Sequence, residues 1–224
     1  MIKLTLFDLD HTLLDGDSDV LWCDFLMDQG LLDRARFASS NAEMERAYQA
    51  GTVSPQDFAN FYVATLKLKA RTDWEPLRQR FVDTVIAPRL PEASHALVRR
   101  HLDADDLVVM STATNRFITE PTAALLGFGH LIATECEMAG DQFTGRPTGT
   151  ANMREGKVAR LHDWLAERQL TLADCDSTFY SDSMNDLPLL SAVRHPVAVD
   201  PDARLAAVAA ERGWPVLSLG HGRR

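Results

Sequence analysis

Two carboxylates stand two residues apart in Phe7-Asp8-Leu9-Asp10, at the end of the β-prone, largely apolar run of residues 2–7. Alternate residues of an extended chain project to one face, so both side chains can point the same way. Two close carboxylates repel unless a cation or a proton lies between them. Magnesium accepts such oxygen ligands, commonly one or two carboxylates together with a substrate phosphate. A carboxylate can also attack phosphorus and form an acyl phosphate. The bland alternative is a pair of solvated carboxylates at a turn.

Three further places carry chemistry of the same kind. Ser111 follows the apolar run Leu107-Val108-Val109-Met110, where a hydroxyl and the following backbone N–H groups can hold phosphate oxygens. Lys157, near the start of an amphipathic segment over residues 154–168, opposes the helix dipole, and that cost suggests another partner. Asp182-Ser-Met-Asn185-Asp186 follows the strand-like run 177–180. Asp182 can ligate a metal beside Asp8, and Asp186 can hold Lys157 or a metal-bound water. The competing readings are an ordinary turn at Ser111, a solvated lysine, and a helix N-cap at Asn185 or Asp186.

The elements that must position these groups alternate. Strand-like runs at residues 2–7, 107–110, 131–135, 177–180 and 197–199, with a possible further one at 215–217, are separated by helical stretches. Residues 137–149, with Gly140-Asp141 in the middle, read as a hairpin. From Ser18 to Phe81 the apolar spacing is helical throughout, with Ser54-Pro55 reading as a helix start. Alternating strands and helices imply a parallel sheet covered on both faces. Ligands of such sheets bind at the carboxyl ends of the strands, where Asp8, Asp10, Ser111 and Asp182 all fall.

Composition narrows the partners. The chain has 224 residues, 46% of them hydrophobic and 25% charged, which suits a soluble globular protein with one core or one core and a small second domain. A net charge of −9 argues against polymeric nucleic acid, whose binding needs a basic surface. Cys23, Cys136 and Cys175 are an odd, widely spaced set, read as reduced thiols. Asp8 and Asp10 interrupt the N-terminal run too early for a signal peptide. No apolar run approaches the ~20 residues of a membrane helix. A cytoplasmic protein with no membrane partner is expected, with residues 220–224 fraying.

The four places taken together resemble the haloacid dehalogenase superfamily. Asp8-Leu-Asp10-His-Thr12 is similar to its first motif, Ser111-Thr112-Ala-Thr to its second, Gly-Lys157 to its third, and Ser-Asp182-Ser-Met-Asn185-Asp186 to its fourth. The helical insert resembles the C1 cap of the phosphoserine phosphatase-like branch. The resemblance implies an α/β fold: a Rossmann-like parallel sheet with helices on both faces, formed by residues 1–15 and 87–224, plus a helical cap over residues 16–86. It implies a Mg2+-dependent phosphomonoesterase. Asp8 would be the nucleophile, Asp10 the general acid and base, and Ser111 and Lys157 the phosphoryl ligands. Asp8, Asp182 and the backbone carbonyl of Asp10 would hold the metal, with Thr112, Asn185 and Asp186 in support. Asp17 stands nine positions after Asp8, where phosphoserine phosphatases carry a glutamate that meets the substrate ammonium. Its shorter side chain, and Thr112-Ala113 where those enzymes carry glycines, leave histidinol phosphate beside phosphoserine as an amino-phosphate substrate. A dehalogenase typically lacks the second aspartate. The remaining alternatives are a phosphomutase or phosphotransferase of the same fold and a catalytically silent phosphate-binding domain.

Overall fold

The computed structural model describes residues 1–220. Seven strands form one sheet in the order β4-β3-β2-β1-β5-β6-β7. They are β1 (Ile2–Phe7), β2 (Leu107–Asn115), β3 (His130–Ala139), β4 (Gln142–Thr148), β5 (Cys175–Ser181), β6 (His195–Val199) and β7 (Val216–Leu217). All pairings are parallel except β3 with β4, the ribbon that turns at Gly140 and Asp141. The first five strand-like runs and the hairpin of the sequence are all present, and the possible sixth run is the short edge strand β7.

Between β1 and β2 the described chain is helical: α1 (Ser18–Asp28), α2 (Arg34–Ala50), α3 (Pro55–Val63) and α4 (Arg71–Phe81), followed by single-turn pieces to Arg89. Asp17, Asp33 and Ser54 each cap the N-terminus of the helix they precede with a side-chain oxygen. The remaining helices are α5 (Glu92–Leu102), α6 (Arg116–Leu125), α7 (Glu155–Ala166), α8 (Leu187–Ala192) and α9 (Ala203–Arg212).

The sheet is buried on both faces. On one face Phe7, Val108 and Met110 pack with Trp22, Phe25, Trp74 and Phe81 from the inserted helices and with Val98 and Ile118 from α5 and α6. On the other, Leu4, Leu6, Val109 and Phe179 meet Leu161, Leu165, Leu190 and Leu205 from α7, α8 and α9. Leu6 and Phe7 thus serve opposite faces, as the period of two requires. Helix α2 is different: Asn41 is its one buried residue, so it lies over the molecule rather than in it.

Three elements depart from the sequence reading. Strand β2 does not stop at Ser111 but continues through the polar run to Asn115, because β3 goes on pairing with it across an irregularity between Ser111 and Asn115. The segment after Asp182 is a short 3₁₀ turn over Met184–Asp186, and α8 begins only at Leu187 with proline in its first turn. Helix α9 was not read from the sequence, although Asp202 caps its start and Gly213, left-handed at φ 66°, its end. Residues 221–224 of the tail expected to fray lie outside the described residues.

Candidate active site

Strands β2, β1 and β5 are neighbours, so their carboxyl ends bring together side chains more than 100 residues apart in sequence. Lys157, from the first turn of α7, is 1% exposed. Its Nζ donates to Asp8 Oδ1 at 2.7 Å and to Asp186 Oδ2 at 2.7 Å. Asp186 Oδ2 also accepts the Ser181 hydroxyl at 2.7 Å. Asp186 therefore anchors the lysine rather than capping a helix. A buried ammonium between two carboxylates explains why the sequence tolerates a lysine against the helix dipole. Burial alone would lower the pKa of Lys157, but Asp186 and Asp8 outweigh it and hold it above the usual lysine range.

Thr12 joins the carboxylates of β1 and β5. Its hydroxyl lies 3.2 Å from Asp8 Oδ2 and 3.1 Å from Asp182 Oδ1, and it accepts from the Asp182 N–H at 3.0 Å. Burial pushes the Asp8 carboxyl well up, and the carboxylates of Asp186, Asp182 and Asp10 add to this against the pull of Lys157. The arrangement carries more negative charge than one lysine neutralises. Among the described residues no three acidic, His or Cys side chains group tightly enough to cage a metal unaided. Through Thr12 the structure brings the Asp8 and Asp182 carboxylates together, which fits the magnesium mode that fills the rest of its shell with water and substrate oxygens.

Asp10 is turned away from this cluster. Its Oδ1 accepts the Ser18 N–H at 2.7 Å, while its Oδ2 accepts from Thr114 at 3.0 Å and from Thr112 at 3.4 Å. Burial raises its pKa, opposed by the bonds from Ser18 and Thr114. Ser111 is fully buried and its Oγ accepts from Asn152 Nδ2 at 3.2 Å. The same amide nitrogen lies near the carbonyls of Thr112 and Ile132, so Asn152 ties the end of β2 to β3.

Asp17 lies apart from the lysine cluster. Its Oδ1 takes the N–H groups of Asp19 and Val20, capping α1. Burial, then the Asp10 carboxylate, and with them Glu45 of α2, push its pKa up to about 8. Tyr62, buried with Phe58 and Cys23, lies in the electrostatic range of Asp17 and Glu45. Asn185 spans two parts of the molecule. Its Oδ1 accepts from Arg154 Nε at 3.2 Å, and its Nδ2 donates to the Tyr48 carbonyl of α2 at 2.9 Å.

Thr12, Thr114, Asp19, Asn152 and Arg154 were given no part from the sequence. Thr12 sits inside the first motif and was open to notice. Thr114 and Asp19 look like an ordinary polar strand end and an ordinary acidic first-turn residue. Arg154 adopts φ 54°, a conformation side chains rarely take, which no sequence pattern signals.

Comparison with known proteins agrees with this geometry. A family model described as haloacid dehalogenase-like hydrolase matches residues 5–191. A Neisseria meningitidis protein named histidinol-phosphatase is 40% identical over 221 residues, covering 98% of this chain and 100% of that protein. A Mycobacterium tuberculosis phosphoserine phosphatase is 32% identical, over 97% of this chain and 71% of its own. A solved Bordetella pertussis protein of unknown function superposes with a TM-score of 0.93 at 42% identity, covering 98% of this chain and 99% of that one. A substrate-bound phosphoserine phosphatase structure shares the fold at a TM-score of 0.70 and 14% identity, over 99% of this chain and 94% of that one. With a matching model over most of its length, this chain belongs to the haloacid dehalogenase-like hydrolase family, as a phosphatase of its phosphoserine phosphatase-like branch.

Proposed function

We propose that the protein is a Mg2+-dependent phosphomonoesterase that works through a phosphorylated Asp8, with histidinol phosphate as the favoured substrate. The observation that carries the reaction is the buried chain Asp8–Lys157–Asp186, with Asp182 joined to Asp8 through Thr12. Asp8 attacks phosphorus in line, the ester P–O bond breaks, and Asp10 gives its proton to the departing alkoxide. A water then attacks the phosphorus of the aspartyl phosphate, losing its proton to Asp10, and the Asp8–phosphorus bond breaks to release phosphate. Lys157 and Ser111 hold phosphoryl oxygens as charge builds on them. Asp186, fixed by Ser181, keeps Lys157 pointed at Asp8. Bound by Asp8, Asp182 and the Asp10 carbonyl, Mg2+ supplies the charge neutralisation that lets an anionic nucleophile approach an anionic phosphate. Residues 16–86 act as the cap that covers the site, and Thr112 and Asn185 support its loops.

The substrate reading rests on charge and on the relative of full-length match. Asp17 feels the carboxylates of Asp10 and Glu45, and Tyr62, packed against Phe58, feels Asp17 and Glu45 in turn, which makes an acidic and aromatic wall of the cap near Asp10. An ammonium and an aromatic imidazole suit that wall. A substrate ammonium beside Asp17 would favour its ionised form, which the carboxylate of phosphoserine would oppose. The relative named histidinol-phosphatase is similar along its whole length.

The test is phosphate release from histidinol phosphate, O-phosphoserine, sugar phosphates and nucleotides, with Mg2+ and with EDTA, alongside D8N. Metal-dependent release led by histidinol phosphate and absent in D8N is expected. Full activity of D8N would refute the covalent route. A preference for sugar phosphates would refute the role of the acidic wall.

A further inference from the structure

The inserted helices carry two tyrosines whose hydroxyls bond to no described group, and the two serve opposite ends of the site. Tyr62 of α3 is 1% exposed, and the charges it feels most are Asp17 and Asp19. Tyr48 of α2 is half-buried and feels Asp186 most, then Asp8, then Asp182, with Asp17 after them. Tyr62 thus belongs to the acidic wall of the cap. Tyr48 belongs to the other end, where Lys157 joins Asp8 to Asp186.

Contacts with the core fix Tyr48 at that end. Asn185, the neighbour of Asp186 in the chain, donates from Nδ2 to the Tyr48 carbonyl at 2.9 Å. Arg204 donates to the Ala50 carbonyl at 3.0 Å and also to that of Gln49. The Tyr48 ring lies 4.7 Å from the Phe58 ring, tilted by 32°. It packs against the cluster of Phe58, Tyr62 and Cys23 with Ala113 and Met153. Ala113 stands two residues after Ser111 and Met153 four before Lys157. The backbone and the ring are therefore both held beside the loops that carry Ser111 and Lys157, and the hydroxyl is the part left to meet a ligand.

We propose that Tyr48 is a phosphoryl ligand supplied by the cap, its hydroxyl donating to a non-bridging phosphoryl oxygen of the bound substrate. The inference rests on the proposed transfer of the phosphoryl group to Asp8. A phenol carries one O–H donor. Burial first, and the carboxylates of Asp186, Asp8 and Asp182 after it, push its pKa well up, so the proton stays available. A donor of this kind bonds an ionised acceptor roughly twice as strongly as a neutral one. A neutral donor also suits the place: a second cation there would pair with the site carboxylates and compete with the metal. Ser111 and Lys157 reach the phosphoryl group from the core. Tyr48 adds a donor from α2, which makes phosphate affinity depend on where that helix lies.

The experiment compares wild type and Y48F in the full chain with Mg2+. Phenylalanine keeps the ring and its packing on Phe58, so Y48F should melt with wild type. Its affinity for inorganic phosphate, read by calorimetry, should fall about ten- to hundredfold, the worth of one hydrogen bond to an ionised group. Its kcat/KM should fall by a similar factor for histidinol phosphate, O-phosphoserine and a sugar phosphate alike, because the phosphoryl group is what they share. Unchanged phosphate affinity in Y48F would overturn the proposal. So would a loss confined to histidinol phosphate, which would put the hydroxyl on the organic part of the substrate. A wild-type protein that binds phosphate but hydrolyses no phosphomonoester would overturn the proposed function instead, and the phosphate affinities of the two proteins would still decide whether Tyr48 is a ligand.

Discussion

Replacing Lys157 with methionine tests the charge balance of the site more sharply than removing any carboxylate. The lysine is the one cation bonded to Asp8 and Asp186 among the described residues, and all three are almost fully buried. Methionine is of similar length and fills the space, so the loss is electrostatic. Breaking a buried pair by deleting one partner costs about 3–5 kcal/mol, because the other charge is left unpaired. Here two carboxylates lose their common partner, which places K157M at or above the upper part of that range. For a chain of 224 residues, about 2–4 °C of Tm per kcal/mol converts about 5 kcal/mol to a fall of roughly 10–20 °C. The fall should shrink at acid pH, where the Asp8 carboxyl, pushed up by burial, takes up a proton. It should also shrink in K157M/D186N, which removes one of the stranded charges. Thermal melts of the three proteins from pH 5 to 8, read by circular dichroism, provide the assay. A K157M protein that melts within about 2 °C of wild-type at pH 8 would refute the account of a buried, charge-coupled triad.

Three other outcomes follow from the same geometry. Asp17 is protonated up to about pH 8 in the folded chain but only to about pH 4 when unfolded, so the folded state holds the extra proton between those values. Its stabilising contribution is complete below about pH 4 and is lost as pH rises through about 8; Tm in EDTA should fall across that window and Mg2+ should restore more of it at pH 8 than at pH 5, whereas a Tm in EDTA that climbs with pH would contradict this. D17N keeps a side-chain oxygen for the N-cap of α1, so it should fold normally, melt higher at pH 8, and raise KM for histidinol phosphate more than for a sugar phosphate; equal effects on both substrates would remove Asp17 from ammonium recognition. Arg204 of α9 donates to the carbonyls of Gln49 and Ala50, and Asn185 to that of Tyr48, so core side chains hold the C-terminal turn of the loosely packed helix α2. R204A should raise KM about tenfold and speed proteolysis near residues 51–54, and an unchanged KM would show that α2 stays in place without it.

The class of fold and the kinds of group at its centre are legible in the order of residue types alone. Apolar runs of strand length alternate with helical stretches, and a chain of that pattern buries its apolar surface by forming a parallel sheet between helices. That rule alone sends Asp8, Ser111 and Asp182 to the same rim, because each follows an apolar strand-like run in the sequence. Local signals also reached the caps: Ser54 before Pro55 starts α3 as read. What stayed hidden was pairing across long separations. Whether Asp186 caps a helix or grips Lys157 is a question of where α7 packs against the end of β5, 29 residues away in sequence. The polar run 111–115 reads as a loop, yet it is strand because β3 supplies partners for its backbone. The contact of Thr114 with both Asp10 and Asp19 joins three elements, none of which signals the others in sequence. Hydrophobic patterning specifies elements because burial acts residue by residue. Hydrogen-bond networks depend on distances of a few tenths of an ångström between elements, and those distances exist only after the core has packed.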